Sequence, residues 1–293
     1  MNAQGKIAAA PARKVLIFPG PSKPAIRVLV PREHGTWGLL LFPLISGAII
    51  GYRAQNASLQ PALWYLLTAL SAFLIYQPLE SLLGFSLIKA RSQRQQRVAI
   101  ISVIALAVIA TAGVFELFHW HRGLVVGFGL VASGCFAVRI LLGSSRRMRV
   151  PKQLIGAMGL SSTAAGAYYA ATGRIDGTSI LLWLASWLFA VGQIEYVHLR
   201  ISAAQVRSRR QKLRSSMTVC FLHLLMIGAS IIAAFAGFAP LLLALAFVPS
   251  LIRLSVWLAR PWRPLGVHIL GFSELLQGLL FNILMIGAFL LHA

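Results

Sequence analysis

Long apolar segments separated by short polar ones form the main pattern of this chain. Because a helix needs about 20 mostly apolar residues to cross the hydrocarbon of a bilayer, each long segment predicts a membrane-spanning α-helix. The pattern therefore predicts an all-α polytopic membrane bundle of about nine transmembrane helices. The predicted helices are 35–52, 61–82, 98–118, 123–142, 154–172, 178–199, 216–237, 239–258 and 265–291.

The two ends of the chain differ in character. Residues 1–30 contain four prolines and several Lys and Arg residues, which predicts a flexible basic tail without a cleavable signal peptide. Residues 31–293 are predicted to form one transmembrane helical domain. The turns before 123–142 and 239–258 are very short, so each of these segments is expected to form a helical hairpin with the preceding one.

The segment 154–172 is unusually rich in small residues, with Gly, Ser, Thr and Ala at most positions from 156 to 167. Small residues let membrane helices approach closely. This segment is therefore predicted to be a central, crowded helix of the bundle.

Composition agrees with a membrane protein. Hydrophobic residues make up 58% of the 293 positions, and the mean hydropathy is +0.78. The net charge of +21 would suggest nucleic-acid binding in a soluble protein. Here the basic residues fall in short segments between apolar ones, so they are interpreted as topology signals and contacts to membrane lipids, with no nucleic acid as partner.

The basic residues also predict an orientation. With the tail on one side of nine spans, 24 Lys and Arg residues fall on that side and three on the other. By the positive-inside rule the N-terminus is cytoplasmic, the C-terminus lies outside, and the protein is a multi-pass protein of the inner (plasma) membrane.

Carboxylates are rare, with only six in the chain. Asp176 lies beside Arg174 in an outer connection and is expected to pair with it, and Glu116 is placed at the outer interface. The remaining four fall towards the predicted cytoplasmic half. These are Glu33, Glu80, Glu195 and Glu274.

Glu274 lies about nine residues into the last segment, or roughly 13 Å deep at 1.5 Å per residue. It shares a helix face with Gln277, and Glu195 likewise shares one with His198. A carboxylate in hydrocarbon costs several kcal/mol unless it is paired or neutralised. Two interpretations stay open: a polar cavity facing the cytoplasm between helices 1, 2, 6 and 9, or ion pairs with nearby Arg that fix helix ends.

On the cavity interpretation, the candidate site combines possible acid, base or ion-holding groups with possible substrate contacts. The first set is Glu33, His34, Glu80, Glu195, His198 and Glu274. The second set is Trp37, Arg200 and Gln277, of which Arg200 would orient an anionic headgroup.

No cofactor or metal can be assigned from the sequence. Glu195 and His198 have the spacing of a di-iron helix, but such a site needs two motifs and the chain has one. Cys135 and Cys220 lie in apolar segments without metal or redox spacing and are interpreted as packing residues.

Several motifs resemble those of the YwiC-like bacterial membrane proteins. They are the stretch 32–38 (Arg-Glu-His-Gly-Thr-Trp-Gly) with Pro43, the small-residue stretch 165–173, Tyr-Val-His-Leu-Arg at 196–200 and Gly-Phe-Ser-Glu at 271–274. The resemblance covers roughly residues 30–290. It implies a membrane protein and names no reaction.

A weaker, architectural resemblance is to the UbiA-type intramembrane prenyltransferases, which have nine helices and polar clusters at the cytoplasmic ends of helices 2 and 6. That resemblance implies that Asp-rich motifs hold Mg²⁺ and that this Mg²⁺ binds a prenyl diphosphate. This chain departs from the pattern, since only Glu80 and Glu195 stand at comparable places. One carboxylate per site is poor for Mg²⁺, so Arg rather than metal is expected to neutralise a diphosphate.

Three functions follow as alternatives. The first is a UbiA-like protein that handles an isoprenoid or prenyl-diphosphate-type lipid in a cytoplasm-facing cavity, as an enzyme or otherwise. The second is a small-solute transporter that uses buried Glu274. The third is a lipid-binding accessory membrane protein without catalysis.

Overall fold

The computed structural model describes residues 34–54, 57–83, 92–142, 148–202, 208–260 and 266–292. Within these ranges the chain forms nine α-helices and no strand, which confirms the all-α prediction. The predicted tail 1–30 lies outside the described residues. The helices are α1 (His34–Arg53), α2 (Leu59–Leu83), α3 (Gln93–His119), α4 (Val125–Leu141), α5 (Arg149–Thr172), α6 (Gly177–Ser202), α7 (Arg209–Phe235), α8 (Leu243–Ala259) and α9 (Val267–Leu290).

Three helices begin at least five residues earlier than the hydropathy pattern predicts. The extra first turns of α3, α5 and α7 are polar and basic. At α3 the Ser92 hydroxyl accepts a hydrogen bond from the Gln95 backbone N–H, and the Gln95 side-chain oxygen accepts one from the Ser92 backbone N–H, so a capping box starts the helix. Hydropathy detects only the apolar part of a helix, whereas these helices continue past it.

Six helices are long and apolar enough to cross a membrane, namely α1, α2, α3, α6, α7 and α9. Two others, α4 and α8, are apolar and 17 residues long. The exposed side chains of these eight helices are largely aliphatic and aromatic, as lipid-facing surfaces require. The chain is a multi-pass membrane protein.

The helix α5 lies at the centre of the bundle and packs against α1, α2, α4 and α6. Its residues from 161 to 171 are all buried. The closest approach is to α1, where a Cβ on Gly47 would overlap the Ala164 carbonyl and one on Gly51 would lie 2.9 Å from the Ala171 Cβ. Small residues on both helices thus bring the two backbones together, as the sequence predicts for α5.

The other helices form two groups around this pair. On one side α3 packs along α2, and α4 packs along α5; on the other side lie α6, α7, α8 and α9. The helices α3 and α4 are joined by the predicted tight turn, but each packs mainly against another helix and few contacts join the two. The α7–α8 hairpin is formed, and Lys212 Nζ donates to the Trp257 carbonyl at 2.6 Å across it.

The helices α1, α3, α5, α7 and α9 begin at one end of the bundle, which we call the basic end because most described Lys and Arg residues lie there. At the opposite end the Asp176 carboxylate accepts hydrogen bonds from the Tyr168 hydroxyl (2.9 Å) and the Ser179 backbone N–H (3.0 Å). The predicted ion pair of Asp176 with Arg174 is not among the described contacts. Instead Asp176 caps the start of α6.

We expect Gly47→Ala to destabilise the protein by about 1–3 kcal/mol, because the added methyl would separate α1 from α5. Thermal unfolding of the detergent-solubilised protein measures this. Gly228→Ala in α7 is the matched control, since nothing lies within 4 Å of its added Cβ. Equal melting temperatures for both variants would contradict the role given to the α1–α5 contact.

Candidate functional site

Two cavities lie on opposite sides of the α1–α5 pair. The large cavity has a volume of about 1030 Å³ and is lined by α1, α2, α3, α4 and α5. The small cavity has a volume of about 180 Å³ and is lined by α1, α5, α6 and α9. The two share no lining residue, since different faces of α1 and α5 border each of them.

The large cavity extends along most of the bundle. Its lining residues on α2 run from Tyr65 near the opposite end to Glu80 near the basic end, which corresponds to about 22 Å along the helix axis. Gly129 on α4 borders this space, and nothing lies within 4 Å of the position that a Cβ would take there. Most of the wall is apolar, so the cavity suits a long apolar chain.

Polar side chains gather where the large cavity meets the basic end. The Tyr76 hydroxyl donates a hydrogen bond to the Glu80 carboxylate. The Arg139 guanidinium lies 5.6 Å from the centroid of the Tyr76 ring, in cation–π geometry. Phe136 packs edge-on against the same ring. A carboxylate and a guanidinium, both half-buried, thus stand at one end of an apolar chamber.

A network of buried polar groups borders the small cavity. Arg253 Nη1 lies 2.7 Å from Glu274 Oε1, and Arg253 Nη2 donates to Gln193 Oε1 at 2.6 Å. Gln193 in turn donates to the Ser250 hydroxyl at 3.1 Å. The Arg253 guanidinium also lies 3.9 Å from the centroid of the Tyr196 ring. These partners compensate both charges inside the bundle.

The mouth of the small cavity lies at the basic end. There His198 Nε2 and Gln153 Oε1 are 2.7 Å apart, a hydrogen bond that joins α6 to α5. Arg149 also lines the mouth and is exposed. The mouth therefore carries the positive charge of Arg149 beside the His198 imidazole.

The predicted site residues do not all come together. Glu274 and His198 line the small cavity, whereas Glu80 lines the large one. Among the described residues, the carboxylates predicted to share one cavity are therefore divided by the α1–α5 contact. Glu33 lies outside the described residues, and His34 begins α1 with its side chain also outside them.

Four other predicted residues line neither cavity. The Trp37 ring packs edge-on against Phe73 with centroids 5.2 Å apart. Arg200 donates to the Tyr196 hydroxyl at 3.1 Å. Gln277 has a buried side-chain oxygen with no hydrogen-bond partner among the described residues, and Glu195 is half-buried on α6.

Four residues that contribute most to the two sites were missed by sequence reasoning: Gln193, Arg253, Tyr76 and Arg139. Arg253 was counted only as a topology charge, although it stands six residues inside the C-terminal end of the 17-residue helix α8. A cation so far inside an apolar segment needs a partner, and that depth was the available signal. Nothing in the sequence indicates that the partner is on α9.

The described residues hold no group of three or more His, Cys, Asp and Glu side chains placed to bind a metal ion. Glu80 borders the large cavity, whereas Glu195 lines neither cavity. The described donor set therefore does not fit Mg²⁺ held as in the Asp-rich motifs of the UbiA-type enzymes.

Comparison with known proteins finds a family match over the helices that line the large cavity. The model of the family described as "YwiC-like protein" matches residues 30–169. Over these residues the chain is similar to the YwiC-like proteins. The matched region runs from the start of α1 almost to the end of α5 and includes every residue that lines the large cavity.

A similar relative is the "Uncharacterized protein YwiC" of Bacillus subtilis (strain 168), with 22% identity over 257 residues. The alignment covers 87% of this chain and 96% of the relative. No solved structure matches the chain. The YwiC-like resemblance seen in the sequence motifs is confirmed, and the UbiA-like architecture stays a prediction.

We expect Arg253→Met to destabilise the protein by about 3–5 kcal/mol, because it leaves the Glu274 carboxylate buried without its cation. The double variant Arg253→Met with Glu274→Met should recover most of this loss. Thermal unfolding in detergent measures both. Glu195→Gln serves as the control for removing a carboxylate that no described residue pairs with. If the double variant loses as much stability as the two single substitutions added together, the ion pair does not stabilise the protein.

Proposed function

We propose that this membrane protein binds an amphipathic lipid with an isoprenoid-type chain in the large cavity, with the polar head of the lipid at the basic end. The observation that carries the proposal is the shape and chemistry of that cavity. It is a long apolar chamber that ends at Tyr76, Glu80 and Arg139. An apolar chain with one polar head matches both parts.

The way α3 borders the large cavity supports entry from the bilayer. Its lining residues are Ala110, Thr111 and Val114, all in the last ten residues of the helix, whereas α2 and α4 line the cavity along most of their length. Few contacts join α3 to α4. We infer a side opening between α3 and α4 near the basic end, through which a lipid reaches the cavity without crossing water.

The polar end of the cavity supports an anionic head. Arg139 contacts the Tyr76 ring and forms no ion pair with a described carboxylate, so its donors are open to a phosphate or carboxylate. The Tyr76–Glu80 hydrogen bond fixes a second polar group beside it. On this proposal Arg139, rather than a metal ion, neutralises the head of the lipid.

The orientation belongs to the same proposal. The 24-to-3 division of Lys and Arg supports a cytoplasmic position for the basic end and a location in the plasma membrane. The head of the lipid would then face the cytoplasmic leaflet, where soluble partners or phosphorylated substrates are available.

A transporter is the second candidate function, and the buried pair of Arg253 and Glu274 beside the small cavity favours it. A solute or proton that binds Glu274 would weaken that pair and could shift the packing of α8 against α9. Cysteine labelling distinguishes the two: a transporter predicts substrate-dependent labelling from both membrane sides, and a lipid-binding cavity predicts labelling from the basic end alone.

We expect the purified wild-type protein to retain an isoprenoid lipid, and Ala72→Phe on α2 to lose it. Ala72 lines the large cavity, so a phenyl ring there would occupy the space of the chain. Native mass spectrometry followed by extraction and lipid analysis measures retention.

Ala137→Phe on α4 is the matched control, since Ala137 is also an exposed helical alanine but does not line the cavity. Equal retention by both variants, or bound lipids restricted to acyl phospholipids, would contradict the proposal.

We expect Arg139→Gln to weaken binding of farnesyl phosphate by roughly tenfold or more, because a charge-assisted hydrogen bond contributes about 1.5–3 kcal/mol. Binding of farnesol should change little, since it carries no charge. Titration by intrinsic Trp fluorescence in nanodiscs compares the two ligands. An equal loss for both would assign Arg139 a structural role instead.

A further inference from the structure

We infer that the small cavity is a second binding site, for a small neutral molecule built on a flat ring with hydrogen-bonding groups at both ends. This site is independent of the lipid proposed for the large cavity. It is lined by different residues and lies on the other side of the α1–α5 contact.

The size and wall of the small cavity indicate the ring. Its volume of about 180 Å³ is close to that of a protein cavity of about 150 Å³ known to hold benzene. Phe42, Phe189 and Phe281 all line it, and the Phe189 and Phe281 rings stack with centroids 4.1 Å apart. Aromatic side chains provide broad flat contact surfaces, which favour a flat guest.

One polar group that faces such a guest is the free oxygen of Glu274. Oε1 of this carboxylate accepts from Arg253, whereas Oε2 is buried and has no partner among the described residues. A buried carboxylate oxygen without a donor is costly. Because Glu274 lines the cavity, an O–H or N–H group of the guest would satisfy that oxygen.

A second polar group is the hydroxyl of Ser186, which lines the cavity deeper in the bundle. Ser186 is 3% exposed, and its Oγ is buried without a partner among the described residues. Ser186 lies seven residues before Gln193 on α6, which is about 10 Å along the helix axis. Gln193 is joined to Glu274 through Arg253, so Ser186 and Glu274 border the cavity at different depths.

The charges around the cavity indicate a neutral guest. The Glu274 charge is already compensated by Arg253, and Arg200 also lies close enough to act on it electrostatically. A cation would meet these guanidiniums and Arg149 at the mouth, and an anion would meet the Glu274 carboxylate. A neutral donor avoids both repulsions.

The experiment uses 3-fluoro-4-hydroxybenzyl alcohol as the probe, since it has a flat ring and a hydroxyl at each end. Fluorine NMR line widths of the probe are measured against the full-length protein in nanodiscs. We expect saturable broadening with the wild type. The dimethyl ether of the probe has no donor and should bind roughly tenfold more weakly or worse.

Three variants test the assignment of contacts. Ala190→Leu adds bulk to the wall of the cavity and should abolish saturable binding. The line broadening that remains with this variant measures partition of the probe into lipid, and it is subtracted from the wild-type broadening. Ser186→Ala removes a hydroxyl without a described partner, so it should fold normally and weaken binding about threefold or more. Glu274→Gln should weaken it roughly tenfold or more.

Equal binding of the ether and the probe would overturn the inference, and so would wild-type binding by Ala190→Leu or an unchanged affinity in Ser186→Ala. The large-cavity variant Ala72→Phe should bind the probe as the wild type does. That result separates a failure of the second site from a failure of the proposed lipid binding.

Discussion

The close contact between α1 and α5 is the constraint on which the rest of the structure depends. In hydrocarbon there is no hydrophobic driving force between helices, so packing of small residues has to hold them together. Gly47 and Gly51 meet Ala164, Tyr168 and Ala171 without room for another methyl group. This contact puts a wall of backbone through the centre of the bundle. Each face of the wall then borders its own cavity, and the two cavities differ in size and chemistry.

The second constraint is the cost of charge inside the membrane. Arg253 and Glu274 are each more than four-fifths buried, with side chains 13% and 15% exposed, and they lie on neighbouring helices. A guanidinium can donate to a carboxylate and an amide at once, and here it also lies over the Tyr196 ring. One arginine thus joins α6, α8 and α9. The same arrangement leaves one oxygen of Glu274 open towards the small cavity, so a structural ion pair and a candidate ligand contact come from one residue.

The large cavity owes its size to how α3 and α4 are placed. The two helices follow each other in the chain, but α3 packs on α2 and α4 packs on α5. Space remains between them, and the missing side chain of Gly129 on α4 adds to it. Such a chamber would be unstable in water, because its apolar walls would be hydrated. In a bilayer it can be filled by a lipid chain, which is why the cavity, the side opening and the polar groups at the basic end support the same proposed function.

The sequence by itself determined the class of the protein, the number of helices and most of their positions. Apolar length and period are local properties, and the bilayer requires every span to satisfy its own backbone hydrogen bonds. It also marked α5 as the crowded helix and Glu274 as a carboxylate that needs a partner. Only the tertiary structure decided that the partner is Arg253 and that Glu80 and Glu274 lie on opposite sides of α1 and α5. The physical reason is that spans of similar hydropathy can be arranged in many orders. The order is fixed by the fit of small residues between helices, and a linear pattern of apolar and polar positions does not contain that fit.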